Sequence, residues 1–219
     1  TGSVGWQGIF MILLFIGILL GIGCIRFKES LPAEKRSKTG VWATFRSFGI
    51  IVHNRRYMLY VFQLAFAQGI LFAYIASSPF IIQQHYGFSP FAFSICFAVN
   101  AVAIGVAAAL SVKFRRTENG TLTGCVGMLV FAVLQMAALY SGCGFWTYEL
   151  LMFALLFMMG LTFTASTTLA MDCERRYAGA ASALLGALCF ASGGIVSPLV
   201  GLGDILISTG VTFVICAVC

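Results

Sequence analysis

FAFSICFAVNAVAIGVAAALSVKFRRTENGTLTGCVGMLVFAVLQMAALY, Phe91–Tyr140, contains two long apolar runs, Phe91–Val112 and Thr121–Tyr140, separated by a polar gap that carries Lys113, Arg115 and Arg116. At about 1.5 Å per residue either run, wound as a helix, spans the roughly 30 Å hydrocarbon core of a bilayer. Backbone polar groups in lipid must be satisfied within the segment, so an isolated apolar run of this length crosses as a helix. The pattern extends in both directions. Seven apolar segments follow one another: Trp6–Ile25, Tyr57–Phe80, Phe91–Val112, Thr121–Tyr140, Leu150–Met171, Ala180–Gly203 and Ile205–Cys219. The expected fold class is all-α, a polytopic membrane helical bundle.

Charge gives the orientation. All 13 Lys and Arg fall in three gaps: Arg26–Arg56, Lys113–Arg116 and Arg175–Arg176. The gaps Ile81–Pro90 and Ser141–Glu149 and the turn at Asp204 hold none. Basic loops resist translocation and stay cytoplasmic, so the chain is expected to begin outside, with residues 26–56 forming a cytoplasmic loop. Hydrophobic residues make up 60% and charged residues 9%, with a mean hydropathy of +0.99. That composition excludes an ordinary soluble domain. The net charge of +6 follows from topology and suits contact with anionic headgroups; no nucleic-acid partner is expected. Most of the eight cysteines lie in or beside apolar runs and none has CxxC spacing, so they read as small apolar fillers rather than a disulfide framework.

Local signals place the boundaries. Ser89-Pro90 reads as an N-cap followed by Pro at the first helical position, and Asn119-Gly120 as a break before the fourth segment. Within residues 26–56, Val41, Phe45, Phe48 and Val52 share a face, which predicts a short amphipathic helix on the membrane surface. Small residues recur four apart at Gly17 and Gly21, at Gly105 and Ala109, from Gly179 through Ala183, Ala187 and Ala191, and at Gly193 and Ser197, spacing that permits close helix approach. Pro198 is expected to bend its helix. The chain lacks an initiator Met and a signal peptide, and Ile205–Cys219 would span only about 22 Å. It reads as a fragment whose first and last segments are cut.

No catalytic constellation is present. His53 and His85 stand apart in different loops with no second His or Cys at ligand spacing, so neither an enzyme nor a metal site is expected. No phosphate-cradling glycine loop occurs, and no cofactor is implied. Intramembrane carboxylates mark ion relays, yet Glu149 and Asp204 read as outer-boundary residues and the remaining acids as inner ones. Uncharged polar residues are left. Gln63, Ala67, Ile70, Tyr74, Ser77 and Ser78 fall within about 100° of one another on a helix. Asn100 is near the middle of its segment, where an unpartnered amide costs several kcal/mol. Thr162, Thr164, Ser166, Thr167 and Thr168 make the fifth segment polar all round. Gln63, Tyr74, Ser77, Ser78, Asn100 and Thr164 are therefore the candidates for a substrate cavity, with interhelical hydrogen bonding as the alternative role for each.

The same residues carry a family resemblance. LFAYIASSPFIIQQHYGFSPFAFSICFAVNA, Leu71–Ala101, resembles helices seven and eight of major facilitator superfamily transporters of the Bcr/CflA drug:proton antiporter branch. GWQGIF at Gly5–Phe10 is similar to that branch's start of helix six. KESLPAEKR at Lys28–Arg36 is similar to its exit into the central loop, and AGAASALLGAL at Ala178–Leu188 to its helix eleven. VKFRRTENG at Val112–Gly120 resembles a second-half echo of the helix two–three loop motif. Thr164-Ala165 stands where the branch has Pro-Asn, and Ala180 and Cys189 replace its Thr and Gln.

The resemblance implies that the chain is the C-terminal six-helix half of a major facilitator fold plus helix six. Residues 1–25 would then be helix six, 26–56 the central loop and 57–219 the C-terminal bundle, with spans at 57–80, 91–112, 121–140, 150–171, 180–203 and 205–219. It further implies a multi-pass protein of a bacterial inner membrane, exporting a small amphipathic compound in exchange for protons by alternating access. The partners would be substrate, proton, the lipid bilayer and an N-terminal half that carries the main coupling acids. An accessory membrane subunit and a seven-helix receptor remain as other readings of the layout.

Overall fold

The computed structural model describes residues 6–27, 41–114 and 116–218, without the side chains of Trp6 and Val41–Phe45. Expectations for the Lys28–Arg36 stretch, Arg115 and Cys219 lie outside these residues. The chain divides into two compact units, Thr1–Gly40 and Val41–Cys219. The first contains α1 (Trp6–Arg26), apolar apart from Gln7 near its start and ended by its only cation, Arg26.

The second unit contains α2 (Val41–Val52), α3 (Arg55–Pro79), α4 (Pro90–Ser111), α5 (Thr117–Tyr140), α6 (Phe145–Cys173), α7 (Ala178–Val200) and α8 (Ile205–Ala217). Among the described residues six helices are long and apolar enough to cross a membrane, and α8 is a shorter apolar helix. The sixfold pattern follows from hydropathy. Its boundaries are set by local chemistry and packing.

Helix α2 forms over the amphipathic stretch, and its end docks on the bundle: Ile51 is fully buried with Tyr57, Leu185 and Ala181. Asn54 then starts α3, its Oδ1 accepting from the Tyr57 amide at 3.3 Å. The expected end of this span at Phe80 is corrected. Pro79 lies inside the helix and lacks an N–H, so one backbone bond is lost. The chain answers by widening its register into a π-helical turn over Phe80–His85, in which the Tyr86 amide bonds the Ile81 carbonyl at 3.0 Å. Gly87 at φ 71° reverses the chain. Ser89 caps α4 as its sequence predicts, accepting from the Ala92 amide at 3.2 Å.

Two further boundaries move outward. Asn119-Gly120 does not break the chain but lies in the first turn of α5, where Gly120 fits against Ala165 and Phe114. Helix α6 begins at Phe145, one turn before the expected Leu150. The cause is aromatic packing: Phe145 meets Phe88 and Tyr86 at ring-centroid distances of 4.2 and 5.7 Å, and Tyr148 is fully buried. Glu149 consequently belongs to the helix rather than to a loop. Pro198 occupies the last turn of α7, which stops at Val200. Asp204 caps α8, accepting from the Leu206 amide at 2.8 Å.

Helix α6 packs against α3, α4 and α5, while α3 also touches α7 and α8. Small residues permit this, though mostly not the ones singled out from the sequence. A methyl on Gly160 would lie 2.6 Å from the Ile104 carbonyl, and one on Gly124 2.9 Å from the Met158 carbonyl. One on Gly193 would run into the Phe72 ring, whereas Gly105 and Gly179 have open space beside them. Polar stitches cross the seams. Tyr57 Oη donates to the Ala181 carbonyl at 2.6 Å, Ser192 Oγ to the Ala65 carbonyl at 2.6 Å, and Asn54 Nδ2 to Glu174 Oε1 at 2.6 Å. No disulfide joins the described cysteines.

Candidate functional site

The most polar point of the interior lies where α3, α4 and α6 meet. Asn100, fully buried on α4, donates through Nδ2 to Tyr74 Oη of α3 at 3.1 Å and to Glu149 Oε1 of α6 at 2.8 Å. Both amide protons are thereby used. The carboxylate fixes the amide's orientation, since only the NH₂ side can donate to it. Three polar atoms around this centre have no hydrogen-bond partner within the described protein: Glu149 Oε2, Asn100 Oδ1 and the Tyr148 hydroxyl. Tyr148 lies close enough to interact electrostatically with Glu149 and Tyr74. The Tyr74 ring stacks on Phe97 at 5.6 Å with an interplanar angle of 12°, so an aromatic face and an acceptor-rich pole stand side by side.

Depth follows from helix arithmetic. At 1.5 Å per residue Asn100 lies about 15 Å from Pro90, the start of α4, which is half of a 30 Å hydrocarbon core. Tyr74 stands about as far from His85, where its helix ends. By the same arithmetic Glu149 is about 6 Å from Phe145, the start of α6, so its backbone stays near the outer end as its sequence position suggests, while its half-buried side chain reaches inward to accept from Asn100.

The candidates from sequence are not all brought together. Tyr74 and Asn100 are in direct contact. Ser77 and Ser78 are fully buried one turn further along α3, where Ser77 Oγ donates to the Ala73 carbonyl of its own helix at 2.8 Å and Ser78 Oγ has no partner. Gln63 is roughly 16 Å from Tyr74 along α3. Its amide faces Cys125 of α5 but makes no hydrogen bond of ordinary geometry. Thr164 is half-buried on α6, apart from the Tyr74 centre, and its neighbours bond inward: Ser166 Oγ to Thr121 Oγ1 at 3.2 Å, Thr162 Oγ1 to the Met158 carbonyl at 3.1 Å. Glu149 and Tyr148 were missed by sequence reasoning. The available signal was that Asn100 needs a partner, and that Glu149 precedes the buried Met152 and Leu156 by three and seven residues, on the same helical stripe.

Beyond the centre, the Tyr86 hydroxyl donates to the Cys143 carbonyl at 2.9 Å and closes the loops at the end without Lys or Arg. Burial, and then its contact with Cys143, pushes the Tyr86 phenol above its ordinary value, so it stays a neutral donor. An apolar groove of 270 Å³ runs between α3 and α7, lined by Phe62, Phe66, Leu188 and Ile195. Among the described residues no three His, Cys, Asp or Glu gather as a metal site.

The model of the Major Facilitator Superfamily matches residues 1–198. The chain belongs to the major facilitator superfamily. It is 36% identical over 204 residues to the uncharacterized MFS-type transporter YdgK of Bacillus subtilis (strain 168), a match covering 91% of this chain and 50% of that protein. The chain thus spans about half the length of this curated relative. As a major facilitator protein it is a multi-pass membrane protein, and its bacterial relative is consistent with a bacterial inner membrane. Its described helices are consistent with part of that fold.

Proposed function

We propose that this chain is the C-terminal half, with helix six, of a Bcr/CflA-type transporter that exports small amphipathic compounds in exchange for protons. In this reading two six-helix halves rock about a midplane site. The α3, α4 and α6 helices then line the substrate path, and Gln63, Tyr74, Ser77, Ser78, Asn100 and Thr164 are its polar lining. The observation that carries the proposal is the buried contact of Tyr74, Asn100 and Glu149. A polar group at mid-depth is costly unless it has a use, and such residues inside membrane helices mark substrate and ion paths. The stacked Tyr74 and Phe97 rings supply an apolar face and Asn100 a hydrogen-bonding one, a combination that suits amphipathic molecules.

The test is a drug-susceptibility panel in cells expressing the intact transporter. Tyr74→Ala and Asn100→Leu are expected to change resistance unequally from drug to drug at unchanged protein level. A uniform loss that tracks reduced expression would mean that these side chains only hold the bundle together.

A further inference from the structure

We propose that Glu149 is a proton-binding site in the membrane interior, with Asn100 as the group that holds its carboxylate in place; this rests on the proton-coupled reading above. One carboxylate oxygen, Oε1, takes a hydrogen bond from Asn100, and the other, Oε2, has none. The atoms left around it are the Asn100 carbonyl oxygen and the Tyr148 hydroxyl, both also unpartnered, on residues that are fully buried. An amide oxygen can only accept and the Tyr148 hydroxyl has a single proton, so beside a charged carboxylate these two acceptors are left one donor short. A proton on Oε2 supplies that donor and removes the charge, and it requires no cavity. Release returns the proton to water and restores the carboxylate, so the step moves one proton and breaks no other bond.

The groups that reach Glu149 do not neutralise it. From α3 it is Tyr74, from α4 Cys96, and from α6 itself Tyr148, with Tyr86 and Cys143 beyond Tyr148. None of these is a cation. The salt bridge found among the described residues, Arg175 to Asp172, lies at the far end of α6. A structural acid in an interior is ordinarily paired with a base or saturated with donors; Glu149 is neither, which is what a site that loads and unloads a proton requires. The main coupling acids are expected in the N-terminal half; Glu149 adds one in this half.

Infrared difference spectroscopy on the intact transporter in lipid, titrated between about pH 5 and about pH 9, tests this without any drug or gradient. The expected result is a deuteration-sensitive carboxylic acid C=O band that titrates in the wild type and is missing from Glu149→Gln. Gln at this position keeps an oxygen for the Asn100 amide, so the fold is preserved. As a second variant, Asn100→Ala is expected to retain the band but move its midpoint by at least about one pH unit. A band that persists unchanged in Glu149→Gln, or a wild type in which no such band titrates, overturns the assignment. Failure of drug export alone would refute the proposed function and leave this result standing.

Discussion

Replacing Asn100 by Leu removes two hydrogen bonds and leaves the space filled. A hydrogen bond to a charged partner contributes about 1.5–3 kcal/mol and one to a neutral partner about 0.5–1.5, so the soluble-protein scale puts the loss at about 2–4.5 kcal/mol. Interhelical bonds in membranes measure lower, about 0.6 kcal/mol on average and about 1.7 at most. The Glu149 bond, at 2.8 Å to a buried carboxylate, belongs at the upper end, giving about 2 kcal/mol in total. The sharper quantity is the coupling. Once Glu149→Gln has removed the carboxylate, Asn100→Leu no longer strands a charge, and its cost is expected to fall by about 1 kcal/mol. A double-mutant cycle on the chain in mixed micelles, unfolded by dodecyl sulfate and followed by tryptophan fluorescence, reads this. Costs that add within about 0.5 kcal/mol would show that the two residues act independently and refute the reasoning.

Other outcomes can be stated briefly. Gly160→Ala sets a methyl 2.6 Å from the backbone carbonyl of Ile104, which cannot swing aside, and is expected to cost about 1–3 kcal/mol. Gly105→Ala, with open space beside it, is expected to be neutral or slightly stabilising in the same unfolding assay. Tyr57→Phe deletes the 2.6 Å bond to the Ala181 carbonyl and is expected to lower stability by about 0.5–1.5 kcal/mol without changing drug selectivity. In intact cells an impermeant maleimide is expected to label Cys143 and spare Cys173 in a variant retaining only those thiols; equal labelling of Cys173 would refute the proposed topology.

The spans were legible because lipid imposes one requirement on every residue of a segment, so a run such as Phe91–Val112 declares itself by length and hydropathy alone. The cap at Ser89 was legible for the same reason of locality: the hydroxyl and the amide it meets are three residues apart. What could not be read depends on partners distant in sequence. The first turn of α6 exists because Phe145 packs on Phe88 and Tyr86, and hydropathy alone reads its Trp, Tyr and Glu as an interface. Glu149 was misplaced with that turn. The π-helical turn that continues the span past Pro79 was hidden by a proline that ordinarily ends a helix. Gly160 escaped because close approach is decided by what faces a glycine, here Ile104, rather than by its spacing, whereas Gly124, four residues after Gly120, had the spacing and was overlooked. Of the site, Tyr74 was identified from its helical stripe and Asn100 from its depth, while their contact, and the acid that joins them, needed the fold.

The central claim is that this bundle belongs to a transporter driven by protons. Everted membrane vesicles containing the intact transporter, energised to an acid interior, test it with ethidium as the probe. The account predicts accumulation of ethidium inside the vesicles, reversed when nigericin collapses the pH gradient and abolished by Glu149→Gln. Accumulation no greater than in vesicles lacking the protein, or uptake that survives the collapse, would contradict it.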